Sequence, residues 1–235
     1  MTARIALVTG ADKSIGLEAV RGLARLGMTV YLTSRNQETG KAAAEALEAE
    51  GDVRYQHLDV TDEATIRAAL AVIGREHGRL DALVNNAGLA LEPKEALDVM
   101  PEDIRLTLET NLHGPSRLTQ LAAPLLRASG AGRVVMVSSG ASRYDYFADK
   151  TFRNPYAYCL SKAGLNAATV MFAQALAADG VKVNAVNPGY VKSAVSFFKG
   201  TRTPEQGAEI LIRFATLDAD GPTGGFFDDR GPLTW

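Results

Sequence analysis

Short apolar runs rich in β-branched residues alternate along the whole chain with longer stretches of helical period, and no other feature restricts the fold as much. The runs lie at residues 5–9, 29–33, 53–57, 82–85, 133–138 and 181–186, each bounded by glycine, proline or polar residues. Helical spacing fills the gaps at 16–26, 38–50, 63–77, 101–128 and 155–178. Parallel strands need a crossover long enough to hold a helix, so this alternation predicts an α/β chain with a doubly wound parallel sheet. Phe226-Phe227, after Gly224-Gly225, adds a candidate edge strand. In such sheets ligands bind beyond the carboxyl ends of the strands, which is where functional residues are to be sought.

The 235 residues suit one domain over 1–235, and no repeat, low-complexity tract or Pro/Ser-rich linker divides them. With a formal net charge of -2 and its Lys and Arg scattered, the chain has no basic tract, so no nucleic-acid partner is expected. A single cysteine, Cys159, excludes an intramolecular disulfide and suits a reducing compartment. Residues 5–8 are too short for a signal-peptide core and run at once into a glycine turn, and no segment reaches the ~20 apolar residues of a membrane span. A cytoplasmic protein with no membrane partner is the expectation. His57, His77 and His113 fall on separate elements, so no metal site is expected.

The first strand opens into Thr9-Gly10-Ala11-Asp12-Lys13-Ser14-Ile15-Gly16, directly before a helix. Backbone amides there can face a phosphate at the helix N-terminus; an ordinary βα turn with two glycines is the plain alternative. The loop resembles that of the short-chain dehydrogenase/reductase family, which carries Thr-Gly, three variable residues, Gly, one residue and Gly at this place. The resemblance covers nearly the whole chain and implies a Rossmann-type fold, a nicotinamide cofactor and contacts from Gly10, Lys13, Ser14, Ile15 and Gly16. Ser14 stands where the family has its middle glycine. A Cβ there costs about 1 kcal/mol if the backbone is left-handed, while the hydroxyl adds a donor for a phosphate.

The second strand ends in Thr33-Ser34-Arg35, without the carboxylate that accepts from a ribose in NAD-preferring folds; the first acid is Glu38. Arg35 and Lys13 together suit a 2′-phosphate, so NADP(H) is the expected cofactor, although each alone reads as a solvated cation. The resemblance further implies that Asp59-Val60 hold the adenine and that Asn86-Ala87-Gly88 support the ribose. Asp59 as a helix cap and the Asn86 run as a tight turn are the alternatives.

Tyr158-Cys159-Leu160-Ser161-Lys162 opens the last long helical stretch, so Tyr158 and Lys162 share one helix face. Tyr156 has Leu160 at the corresponding place and no ammonium beside it. A carbonyl under reduction needs a proton on oxygen as hydride reaches carbon. A phenol, with a reference pKa near 10, serves better if a neighbouring ammonium and an oxidised nicotinamide favour the phenolate. The family resemblance makes Ser139 the catalytic serine, with Ser138 as runner-up. It makes Asn111 the holder of a water that links Lys162 to solvent; read alone, Asn111 is a helix-bend residue with a satisfied amide. It also assigns Pro188, Gly189, Val191 and Ser193 to the segment that orients the nicotinamide amide.

Carbonyl-reductase-like members are suggested by the Ala-Asp-Lys of the glycine loop, by Ser34-Arg35, by Thr203-Pro204-Glu205-Gln206-Gly207-Ala208 and by the terminal Trp235. The interval between Ser139 and Tyr158 is longer than in the commonest members and the segment after Pro188-Gly189 is short. Tyr144, Tyr146, Phe147, Phe197 and Phe198 are therefore candidates for an aromatic wall on an open pocket, with core packing or a subunit contact as alternatives. The expected function is NADPH-dependent reduction of a ketone, aldehyde or quinone-like small molecule. Alcohol oxidation and a catalytically idle NADP(H) sensor are the alternatives; monomer, homodimer and homotetramer all stay open.

Overall fold

The computed structural model describes residues 3–91, 93–149 and 155–235. Strands β1 (Ile5–Val8), β2 (Thr29–Ser34), β3 (Val53–His57), β4 (Ala82–Asn85), β5 (Arg133–Val137), β6 (Lys182–Val186) and β7 (Phe226–Asp228) run parallel, and β8 (Gly231–Pro232) closes the edge antiparallel. Their order is β3-β2-β1-β4-β5-β6-β7-β8. The order reverses between β1 and β4, and the cleft beyond their carboxyl ends is the place where such a sheet accepts a ligand.

Helices α1 (Ser14–Arg25), α2 (Gln37–Glu45) and α8 (Pro204–Ala215) lie on one face of the sheet, and α3 (Glu63–His77), α5 (Gly114–Ala128) and α7 (Tyr156–Leu176) on the other. The central strands β1, β4 and β5 are buried along their whole length because both faces are covered, while the outer β3, Val-Arg-Tyr-Gln-His, is only half-buried. In β1, Ile5 and Leu7 pack with Ile66, Ile73, Leu118 and Leu165, while Ala6 and Val8 pack with Val20, Leu23, Leu211 and Phe214. Where α1 meets α8, a Cβ on Gly22 would stand 2.2 Å from Ile212 Cδ1, so the bare glycine lets the two helices approach.

The positions of the expected strands agree with the sequence pattern to within a residue, and the helices depart from it in the stretches 101–128 and 38–50 and in two elements that the pattern did not show. The stretch at 101–128 is not one helix: α4 (Pro101–Leu108) passes through a π-helical turn (Glu109–His113) into α5. Pro115, at the start of α5, has no N–H to continue the regular ladder, and Gly114 is held against Val60, whose carbonyl oxygen a Cβ would meet at 2.7 Å. The stretch at 38–50 ends its α-helix at Glu45 and continues as a 3₁₀ turn (Glu48–Glu50) before Gly51. Short α6 (Tyr144–Ala148), α8 and β8 were not expected. For α8 the signal was present: Thr203 accepts from Gln206 N while the Gln206 side chain accepts from Thr203 N, a capping box with Pro204 in the first turn. No helix among the described residues is long and apolar enough to cross a membrane.

Candidate active site

The glycine loop is built by backbone needs that the sequence states openly. Gly10 takes φ +59°, and a Cβ on it would lie 2.9 Å from Ala87 Cα. A Cβ on Gly16 would meet Asn86 Nδ2 at 2.5 Å, so the loop after β1 and the Asn86-Ala87-Gly88 turn after β4 touch backbone to backbone. Asn86 Nδ2 donates to the carbonyls of Thr9 and Gly10 at 2.9 and 3.0 Å. Thr9 Oγ1 accepts from Asn86 N and Ala87 N, both at 3.0 Å. The Asn86 run is thus a tight turn that also clamps the loop.

Ser14 adopts the left-handed backbone at φ +52°, the case in which its Cβ carries a cost. Its hydroxyl is shut off from solvent and has no partner among the described residues. Lys13, at the N-cap, offers no side-chain acceptor to the first turn of α1. An orphaned hydroxyl, an uncapped helix N-terminus and glycines that leave no room for side chains suit the phosphates of a dinucleotide. Arg35 is exposed at the end of β2, and neither it nor Lys13 has an ion-pair partner among the described residues.

Asp59 is less free than expected. Its Oδ1 accepts from Thr61 N and Thr61 Oγ1, and the helix cap is Asp62, which accepts from Ala64 N. Val60 is buried against Gly114, so this corner couples the β3 loop to the π turn.

Tyr158 and Lys162 lie one turn apart on α7, and Lys162 Nζ stands 5.7 Å from the centroid of the Tyr158 ring. Lys162 is 4% exposed and donates to Val137 O, at the end of β5, at 2.7 Å. Burial lowers its pKa to about 8. The Ser139 hydroxyl lies within hydrogen-bonding reach of the Tyr158 phenol, but burial outweighs it and pushes the phenol up to about 12. The sequence led us to expect the opposite direction from the ammonium. In the chain alone Lys162 is engaged by the Val137 carbonyl and desolvation prevails.

The two adjacent serines divide cleanly. Ser138 is buried and donates to Asn166 Oδ1 at 2.6 Å, while Asn166 Nδ2 donates to Ser142 Oγ at 2.8 Å. Ser139, half-buried, caps the 3₁₀ turn (Gly140–Ser142) by accepting from Ala141 N and faces Tyr158. Asn111 sits in the π turn, fully buried. Its Nδ2 donates to Leu89 O at 2.8 Å and Ser161 Oγ at 3.0 Å, and its Oδ1 accepts from Leu89 N at 2.7 Å. Ser161 Oγ donates onward to Tyr158 O at 2.7 Å. Asn111 Oδ1 and Lys162 Nζ both come within 3.8 Å of the point where a Cβ on Gly88 would stand, so Gly88 keeps the space between them open.

Beyond β6, Gly189 has φ +79° and its N–H donates to Asn187 Oδ1. Val191 bridges to Arg202, and Ser193 forms a reciprocal cap with Ser196. Arg202 pairs with Asp229 and donates to Gln206 O, and its bridge to Val191 closes the neck of the loop that carries Phe197 and Phe198. Those two residues have φ +51° and +59° and are exposed. Of the aromatic wall, Tyr146 lies near Tyr158, and Tyr190, which was not counted in that wall, lies near Tyr146. Tyr144 stacks edge-on with Phe147 at 5.7 Å and is largely exposed. Part of the long interval before Tyr158 lies outside the described residues. Ser161, Asn166, Thr9 and Arg202 were missed as site residues; Ser161, on the same helix face as Tyr158, carried a readable signal.

His77 bonds to Tyr31, His113 to Glu109, and the Nδ1 of His57 has no partner; no group of His, Cys, Asp and Glu among the described residues is placed to hold a metal ion.

The chain matches the family model for short chain dehydrogenase over residues 4–202. It is 33% identical to carbonyl reductase (NADPH) 1 of Homo sapiens, with 98% of each chain covered. To (+)-neomenthol dehydrogenase of Arabidopsis thaliana it is 32% identical, with 97% of each covered. Among solved structures it resembles salutaridine reductase from Papaver somniferum, at TM-score 0.83 and 31% identity over 96% of this chain and 99% of that one. It also resembles an NADPH-bound carbonyl reductase from chicken fatty liver, at TM-score 0.88 and 26% identity over 100% of both chains.

Proposed function

The chain belongs to the short chain dehydrogenase family, and from that premise we propose that it is an NADPH-dependent reductase of small carbonyl compounds with Tyr158 as proton donor. One observation carries the reading: Tyr158, Lys162 and Ser139 converge at the carboxyl edge of the sheet, beside a loop suited to phosphates. NADPH, when bound, supplies the hydride that reaches the carbonyl carbon.

The chain's own residues handle the oxygen. Ser139 donates to the carbonyl oxygen and stabilises the negative charge that grows there, an effect strongest where water is excluded. Tyr158 gives its phenolic proton to that oxygen, so the carbonyl leaves as an alcohol and the phenol becomes a phenolate. Lys162 stabilises the phenolate and relays a proton back to it, and Asn111 holds the turn through which that proton arrives. Lys13 and Arg35 select a 2′-phosphate; Gly10, Ser14, Ile15 and Gly16 hold the pyrophosphate. Asp59-Val60 border the adenine, Asn86-Ala87-Gly88 the ribose, and Pro188, Gly189, Val191 and Ser193 orient the nicotinamide amide.

The test is consumption of NADPH with a panel of aldehydes, ketones and quinones. Turnover with at least one class is expected. NADPH binding with no turnover on any of them contradicts the reading and leaves a nucleotide-binding protein without chemistry.

A further inference from the structure

Three non-glycine residues among those described have left-handed backbone, Ser14, Phe197 and Phe198, and one of them, Ser14, stands in the glycine loop where α1 begins. Two features of Ser14 are unfavourable together. Its Cβ is carried at φ +52°, where glycine would be free of strain, and its Oγ is buried without a hydrogen-bond partner. Neither feature serves the fold. The hydroxyl caps nothing: the N-cap of α1 is Lys13, whose side chain accepts nothing from the first turn. The tight contacts of the loop, at Gly10 and Gly16, are to Ala87, Asn86, Gly10 O and Ala11 Cα, and Ser14 is not among them. Strain of this kind persists where a bound group uses it, and a buried donor left empty is a donor waiting for an acceptor.

We propose that Ser14 Oγ is a dedicated donor to a pyrophosphate oxygen of the dinucleotide, held in a strained backbone that costs the free protein stability and is offset when the phosphate binds. This rests on the reading that the site takes NADPH and adds a role that a glycine at this place cannot have. The acceptor is anionic, so the bond is charge-assisted and stronger than one between neutral groups. The side chain therefore sets how tightly the loop grips the diphosphate, and it has no part in contacts to the adenine or the 2′-phosphate.

The experiment compares wild type, Ser14→Gly and Ser14→Ala by fluorescence titration of NADPH, by competition with adenosine 2′-monophosphate, which lacks the pyrophosphate, and by melting of the free protein. Both variants are expected to bind NADPH about tenfold more weakly while adenosine 2′-monophosphate competes as before. Free Ser14→Gly should melt above the wild type, and Ser14→Ala, which keeps the strain, should not match that gain. NADPH affinity unchanged or improved in Ser14→Gly would overturn the proposal. Failure of the wild type to bind NADPH at all would overturn the underlying reading and the proposal with it.

Discussion

Burial pushes the Lys162 ammonium down and the Tyr158 phenol up, each toward its neutral form, and the signs of the two shifts make distinct demands on pH. A lysine with a folded pKa of about 8, below its unfolded value of 10.5, destabilises the fold at neutral pH, and that penalty fades as pH rises from 8 to 10.5. Lys162→Met should therefore melt above the wild type at pH 7, by roughly 3 kcal/mol at most, and the gap should narrow at pH 10. Equal gaps at the two pH values would contradict the burial of a titrating ammonium. The Tyr158 phenol, raised to about 12, works the other way: its contribution is complete below pH 10 and is lost as pH climbs toward 12. The adjacent serines differ just as sharply. Ser138→Ala leaves the buried Asn166 without its donor and should cost about 1–3 kcal/mol of stability. Ser139→Ala, with the fold intact, should cost turnover and little stability. Equilibrium unfolding and steady-state rates on the two variants separate these outcomes.

Among the elements, the π turn between α4 and α5 holds Asn111 at the centre of a network joining Leu89, Ser161 and the Tyr158 carbonyl. Asn111→Ala strips both backbone groups of Leu89 of their side-chain partner. It should lower stability by about 1–3 kcal/mol and reduce turnover, whereas a role confined to a relay water would leave the melting temperature unchanged. Here the limits of legibility are clear. Most of the parallel strands are buried on both faces and announce themselves as short, largely apolar runs bounded by turn residues, so the strand bounds were readable to within a residue. The π turn was not, because helical period continues through residues 101–128 and only Gly114-Pro115 hints at the change. The division of labour between Ser138 and Ser139 depends on Asn166, which is distant in sequence and has no motif of its own. The direction of the Tyr158 shift depends on burial, which residue spacing does not report.

For the molecule as a whole, the parallel strands place the loops after β1, β2, β4, β5 and β6 along one edge of the sheet, the edge at which such folds have their ligand cleft. A cofactor spanning that cleft binds the folded state only and should raise the melting temperature, by the equivalent of about 2.7 kcal/mol at a hundredfold excess over Kd. NADPH should do so at lower concentration than NADH, and Arg35→Asp should reverse that order by replacing a phosphate-seeking cation with a ribose-seeking acid. Equal midpoints for the two cofactors in the wild type would contradict the assignment of Lys13 and Arg35.

Delivery of the proton by the Tyr158 phenol is tested by single-turnover reduction with wild type and Tyr158→Phe, each with its NADPH affinity measured by titration. The chemical step is expected to fall at least ~100-fold in the variant, with NADPH affinity within a few-fold of wild type. A variant that binds NADPH normally and reduces the carbonyl at the wild-type rate would contradict it.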